Sequence, residues 1–169
     1  FIINETKEQL GVTLKFEVLT FTGEVLFDEI IPKQVPAYTS LLCTEKALDD
    51  LPLKSNCLLL ATLESEGKVL SVDIKTITEP KDLRLPTPKI QTEIKTVDEK
   101  TFEITLNSDV YAKAVKIDGC DLKAKLSDNF FDLLPDKPKT IICRLEQKAV
   151  PEQVGKALKW QSYQYKEAS

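Results

Sequence analysis

Acidic side chains are the most abundant groups in this sequence that could do acid–base chemistry. The 169 residues include 27 Asp and Glu and no His, so the commonest general base and the commonest zinc ligand are missing. A catalytic carboxyl pair would need a spacing of about 5–10 Å and one raised pKa. The acids instead stand at polar strand positions or in turns, where solvent normally reaches them: Glu17, Glu93, Glu103, Asp98 and Asp118. The sequence therefore predicts no catalytic residue.

Four cysteines, Cys43, Cys57, Cys120 and Cys143, stand far apart without any Cys-x-x-Cys pair. Metal-binding cysteines usually come as such close pairs, so we expect no metal site. Their apolar flanks predict buried free thiols, which is the usual state of unpaired cysteine. A disulfide between Cys43 and Cys57 stays open if the compartment is oxidising.

Aromatic side chains near the C-terminus could stack on sugar rings. Alternation places Trp160 on the same face as Leu158, which predicts a core position for the indole. Tyr163 and Tyr165 share the opposite face, where they could meet solvent, a neighbouring domain or a glycan. The expected glycan contact is at most a weak one.

The composition excludes several classes of function. The net charge of −4 argues against a nucleic-acid partner. No apolar run approaches the length of a membrane-spanning helix, so no membrane partner is expected. The sequence holds no phosphate-binding loop, nucleophile elbow or calcium loop, and we expect no cofactor. Because it contains no Met and opens on a strand-like run, we expect it to be a piece of a larger protein.

Strand patterns dominate both halves of the sequence. Val12, Leu14 and Phe16 alternate with polar residues, which is the period of a half-buried strand. Two prolines within 30–36 predict an edge strand or a strand exit there, and 44–51 could form one helical turn. Amphipathic helical stripes of useful length are missing. The remaining predicted strands are 25–27, 57–63, 69–72, 90–94, 102–106, 111–117, 122–126, 140–145 and 158–165, with turns at Asp98-Glu99 and Asp118-Gly119.

A proline-rich segment separates the two halves. Pro80, Pro86 and Pro88 favour an extended path, and the absence of Gly argues against a free tether. Leu83 and Leu85 could dock on a domain, so we expect a stiff joint with a preferred geometry. The sequence thus predicts an all-β chain of two tandem β-sandwich domains, with domains at 1–80 and 89–169 and a joint at 81–88.

The run 127–135 (Ser-Asp-Asn-Phe-Phe-Asp-Leu-Leu-Pro) carries four large apolar side chains inside a turn-forming frame. An ordinary surface loop would not do so, and we predict that Phe130 or Phe131 fills the space between two sheets. Asp128 or Asn129 should accept backbone N–H bonds in the turn. The alternative is that the aromatic pair stacks on a sugar.

This run resembles the loop joining two late strands in the C-terminal immunoglobulin-like domain of β-mannosidases in glycoside hydrolase family 2. The segment 80–86 (Pro-Lys-Asp-Leu-Arg-Leu-Pro) is similar to the junction between the last two sandwich domains of those enzymes. One difference is that Pro135 is followed by Asp136, where the family usually has Gly.

The resemblance implies that the two tandem β-sandwich domains are immunoglobulin-like and form a non-catalytic accessory fragment of a β-mannosidase-like exo-glycosidase. In that family the catalytic glutamates lie on a preceding (β/α)8 barrel, so the implied partners are that barrel and the other domains of the parent chain. The parent would remove terminal β-mannose residues with retention. Family members act in the periplasm, in lysosomes, outside the cell or in the cytoplasm, and the first three are favoured here. The alternatives are a carbohydrate-binding module and an immunoglobulin-like interaction or adhesion domain.

Overall fold

A computed structural model describes residues 1–79, 82–118 and 122–163. The chain divides into two compact units, which are described separately. The first comprises Phe1–Thr20 with Glu24–Leu83, and the second comprises Phe21–Gly23 with Arg84–Ser169. Within the described residues, no helix is both long and apolar enough to span a bilayer.

The first unit contains a four-stranded antiparallel sheet in the order β3-β2-β5-β6 and a two-stranded sheet formed by β1 and β4. The edge position predicted for the proline-containing strand is confirmed, since β3 has a neighbour on one side only. A short 3-10 helix at Leu48–Asp50 lies within the predicted helical turn. The strands are β1 Ile2–Asn4, β2 Leu10–Thr20, β3 Val25–Val35, β4 Thr39–Leu41, β5 Cys57–Ser65 and β6 Lys68–Thr76.

The central strand β2 departs from simple alternation towards its end. Val12 and Val18 are buried as predicted, but Glu17 is buried as well, with 3% of its surface exposed. The expectation that Glu17 is a solvated strand acid is therefore wrong. Its cross-strand neighbour Leu60 is fully buried, which shows that this face of the sheet is covered. Lys15 Nζ lies 2.8 Å from Glu17 Oε1, so the buried carboxylate has an opposite charge beside it.

The second unit is a sandwich of a four-stranded sheet, β10-β12-β8-β7, and a three-stranded sheet, β11-β9-β13. Strand β8 shows the predicted alternation: Phe102, Ile104 and Leu106 are buried and enter the core between the sheets. This arrangement agrees with the predicted all-β sandwich. The strands are β7 Ile90–Thr96, β8 Thr101–Ser108, β9 Ala112–Asp118, β10 Lys125–Leu126, β11 Phe131–Leu133, β12 Lys139–Arg144 and β13 Lys159–Gln161.

A helix that the sequence analysis missed, α1, spans Pro151–Ala157. It begins with Pro at its first turn, where the missing N–H costs no hydrogen bond. Gln153 Oε1 accepts a bond from Val150 N at 3.0 Å and so satisfies the entry to the helix. Val154 is its one buried residue, so the sequence carries no apolar stripe that could have revealed it.

Several sequence expectations fall outside the described residues: Pro80 and Lys81 of the joint, the turn at Gly119, the thiol of Cys120, and Tyr165. The described remainder of the joint includes Leu83, the last residue of the first unit, which is fully buried. Leu85 is half-buried.

Candidate functional site

Hydrogen bonds of the Asn129 side chain hold the segment 127–135 against β9. Asn129 Oδ1 accepts bonds from Ile117 N at 2.8 Å and Phe130 N at 3.0 Å, and its Nδ2 donates to Ile117 O at 2.9 Å. The amide thus pairs with Ile117 as a neighbouring strand would. Asp128 Oδ1 accepts a bond from Asn129 N at 2.8 Å. The prediction that these two side chains accept backbone N–H bonds is confirmed.

The two adjacent phenylalanines have opposite environments. Phe131 is 7% exposed and belongs to the core between the sheets, whereas Phe130 is 65% exposed. Phe130 has a φ of +60°, in the left-handed region that non-glycine residues rarely adopt. Leu133 and Leu134 are buried. Phe131 is therefore the aromatic that fills the sandwich, and three of the four apolar side chains are packed inside.

Asp132 lies between buried residues of this segment and bonds to the start of β9. Its Oδ2 accepts a bond from the Tyr111 hydroxyl at 2.6 Å, and its Oδ1 accepts one from Ala114 N at 2.8 Å. Tyr111 is fully buried, and this burial, together with Asp132, raises the pKa of its phenol. The sequence analysis missed this pair; the available signal was a carboxylate between two positions predicted to be apolar and buried.

Lys139 contacts this segment through its ammonium group. Its ammonium lies 2.6 Å from Asp128 Oδ2 and 4.6 Å from the centroid of the Phe131 ring. The hydrogen bond from Lys139 lowers the pKa of the Asp128 carboxyl. A cation held by a carboxylate and an aromatic face stabilises both groups. Ser127 Oγ accepts a bond from Ile142 N at 2.9 Å, so all four charged or polar side chains of this segment, Ser127, Asp128, Asn129 and Asp132, bond within the fold.

The segment ends at Pro135, after which Asp136 adopts a φ of +54°. Asp136 N donates to Ser108 O at 3.2 Å, which holds the chain in this conformation. Glycine adopts the left-handed region without a steric cost, whereas aspartate does so less easily. Asp136 thus occupies a position that suits the glycine of the family resemblance.

The other acids named from the sequence lie on different strands and turns. Glu93 and Asp98 are exposed, and Glu103 and Asp118 are half-exposed, as predicted for solvated positions. Glu17 is buried beside Lys15, as described above. In the part of the chain that the structure describes, no group of three or more His, Cys, Asp and Glu could hold a metal ion.

The core position predicted for Trp160 is wrong, because the indole is 39% exposed. Trp160 lies in β13, a three-residue strand at the edge of its sheet, and pairs with Ile117 of β9. Only one side of such a strand has a neighbour, so alternation alone does not decide burial. Tyr163 is half-buried, and its N donates to Lys113 O at 2.8 Å.

Cys43, Cys57 and Cys143 are buried free thiols, as predicted. The disulfide left open between Cys43 and Cys57 is not formed, and the two residues belong to different core clusters. Burial raises the pKa of the Cys143 thiol, which makes it a poor nucleophile. These cysteines pack as small apolar side chains.

Two family models match the chain in succession. Residues 1–82 match a mannosidase Ig/CBM-like domain, and residues 85–164 match the mannosidase Ig-fold domain. The first half of the chain belongs to the mannosidase Ig/CBM-like domain family, and the second half belongs to the mannosidase Ig-fold domain family. The resemblance inferred from 127–135 and 80–86 is thereby confirmed, as is the all-β fold class of two tandem immunoglobulin-like domains.

Solved structures show the same fold. A β-D-mannosidase from Dictyoglomus thermophilum has a TM-score of 0.79 and 22% identity, over 97% of this chain and 20% of that protein. An exo-chitosanase from Amycolatopsis orientalis has a TM-score of 0.60 and 13% identity, over 96% of this chain and 24% of that protein. This mannosidase-type chain therefore spans about a fifth to a quarter of the length of these enzymes. No curated protein sequence matches it.

Proposed function

We propose that this chain is a non-catalytic pair of accessory domains of a β-mannosidase-like exo-glycosidase. The observation that carries the proposal is the succession of two mannosidase immunoglobulin-like domains along nearly the whole chain. Supporting it, the polar side chains of the family-like segment 127–135 are used in internal hydrogen bonds. The described acids are exposed, half-exposed or bonded within the fold.

The parent enzyme would remove terminal β-mannose residues with retention, using a carboxyl pair outside these residues. The partners of the two domains would then be a catalytic barrel and the other domains of the parent chain. Their contribution would be to stabilise that barrel and to shape the approach to its active site. A segment such as 127–135, which fixes one sheet against the other, suits a rigid support.

The test combines sequence and activity. The coding sequence that encloses Phe1–Ser169 should encode a (β/α)8 barrel, and its full product should hydrolyse an aryl β-mannoside. The isolated 169-residue chain should show no turnover of aryl β-mannoside, β-glucoside or β-galactoside above a buffer control. Deleting residues 84–169 from the full product should lower its thermal stability or its yield of soluble active enzyme. A coding sequence without a barrel, or turnover by the isolated chain that is lost on mutating one of its acids, would refute the proposal.

A further inference from the structure

A cavity of about 230 Å³ lies in the second unit, between the edge strands β7 and β13 and beside α1. Its floor is formed by Ile104, Leu106 and Ile117, which are 1%, 1% and 4% exposed. These side chains belong to the core between the two sheets. The cavity is therefore an opening into the core, with a floor that has no polar side-chain group.

The sides of the cavity carry two apolar side chains and a glycine. Ile94 and Leu158 line the sides, and Gly155 of α1 lies beside Ile94. A Cβ added at Gly155 would lie 3.4 Å from Ile94 Cδ1, which is ordinary contact. Gly is a poor helix former, so a side chain here would favour the helix. A larger side chain at this position would have to pack against Ile94 at the cavity wall.

The rim supplies one aromatic face and few polar groups. Trp160, which is 39% exposed, lines the opening of the cavity. Thr92 and Lys159 are the polar residues of the lining, giving one hydroxyl and one ammonium. The side chains of the floor and sides offer a sugar hydroxyl no hydrogen-bond partner, which disfavours carbohydrate as the ligand.

We infer that this cavity binds a small planar aromatic ring, seated on the isoleucine and leucine floor and packed against the indole of Trp160. A closed cavity of about 150 Å³ lined by Leu, Ile and Phe is large enough for benzene. The larger volume here suits one substituted ring, with its substituent at the rim beside Thr92 and Lys159. This site is separate from the proposed accessory role of the domains and does not depend on it.

The indole N–H of Trp160 gives a direct measurement, because the sequence contains a single Trp. In a ¹H–¹⁵N spectrum its side-chain peak can be followed while benzyl alcohol is added, with methyl β-mannoside as the carbohydrate control. We expect a saturable shift with benzyl alcohol, with a Kd on the order of 1 mM or tighter, and little shift with the sugar. No saturable shift up to the solubility limit of benzyl alcohol would overturn the inference. An equal response to the sugar would identify a carbohydrate site instead.

Two leucine substitutions on α1 test whether the ligand occupies the cavity. Gly155→Leu should place a side chain in the cavity and weaken binding by at least about tenfold, whereas Lys156→Leu, exposed on the same helix, should bind like the wild type. Trp160→Ala gives a second test at an exposed position and should also weaken binding. Because this variant lacks the indole peak, its binding is measured by saturation transfer to the ligand. Unchanged affinity in both cavity variants would overturn the inference. The inference would also be overturned if binding appeared only in a chain that ends at Tyr163, since residues 164–169 would then occupy the site in the 169-residue chain.

Discussion

The hydroxyl of Tyr111 donates a 2.6 Å hydrogen bond to Asp132, which joins the start of β9 to the middle of the segment 127–135. Tyr111 is fully buried, so its hydroxyl has no solvent to replace this acceptor. Asp132 also accepts the bond from Ala114 N, at a residue with a φ of +49°. One carboxylate therefore accepts the bond of a buried hydroxyl and that of a backbone N–H at an irregular position within β9.

Asp132→Ala should destabilise the second unit more than Tyr111→Phe does. The phenylalanine variant removes one donor and leaves a half-exposed carboxylate that water can reach, at a cost of about 1–3 kcal/mol. The alanine variant leaves two donors without an acceptor. Trp160 lies in the second unit, so urea unfolding followed by its fluorescence reports on that unit. Glu93→Ala, at an exposed acid, is the control, and a ranking with Tyr111→Phe as the worse variant would contradict this account.

Phe131→Ala should destabilise the same unit by about 3–5 kcal/mol, the usual cost of removing a buried phenylalanine ring. Phe130→Ala should change its stability by less than about 0.5 kcal/mol, because that ring is exposed. The two variants remove the same atoms from adjacent positions, so each controls for the other. Thermal melts would measure the difference. Similar midpoints for the two would show that the segment does not pack as described.

Much of the fold follows from the sequence because strands carry a strict period of two. In β8 the buried residues Phe102, Ile104 and Leu106 match that period, and β8 has neighbours on both sides. The period fails where tertiary packing decides burial. Glu17 is buried because the face of the sheet that it shares with Leu60 is covered, and Trp160 is exposed because its strand is short and at an edge.

The segment 127–135 was recognisable from its composition, but its internal geometry was not. Which of two adjacent phenylalanines turns inward depends on the positive φ of Phe130, and no local propensity of phenylalanine predicts that conformation. The role of Asp132 depends on a tyrosine 21 residues earlier in the sequence. The cavity beside Trp160 depends on α1, whose single buried Val154 gives no periodic signal. Contacts of this kind appear only when the strands are paired.

Asp136→Gly should stabilise the second unit, by up to about 1 kcal/mol. Asp136 has a φ of +54°, and the left-handed region costs L-residues roughly 1–2 kcal/mol, part of which the greater entropy of glycine in the unfolded chain offsets. Asp136→Ala keeps the Cβ and the strain, so it serves as the matched control and should not stabilise. Urea unfolding monitored at Trp160 would compare the three chains. If the alanine variant gained as much as the glycine variant, the backbone conformation would not be the cause.

The ion pair between Asp128 and Lys139 should make part of the stability depend on acid pH. The hydrogen bond from Lys139 lowers the pKa of Asp128 from its ordinary value of 3.8, so the folded state favours the ionised carboxylate. A group with a lowered folded pKa stabilises the protein above its unfolded pKa, and this contribution is lost as the pH falls through the folded value. The wild type should therefore exceed Asp128→Asn in unfolding free energy near neutral pH, and the two should converge below a pH of about 4.

The difference in unfolding free energy between the wild type and Asp128→Asn should be small, because the Asp128 side chain is 46% exposed and water screens the pair. Salt should reduce it further. Lys139→Met keeps an unbranched apolar side chain beside the Phe131 ring but removes the charge. In that background, Asp128→Asn should have little effect at any pH. A difference between wild type and Asp128→Asn that stays constant through the acid range, or that persists in the Lys139→Met background, would mean that the carboxylate acts through its bond from Asn129 N and not through the lysine.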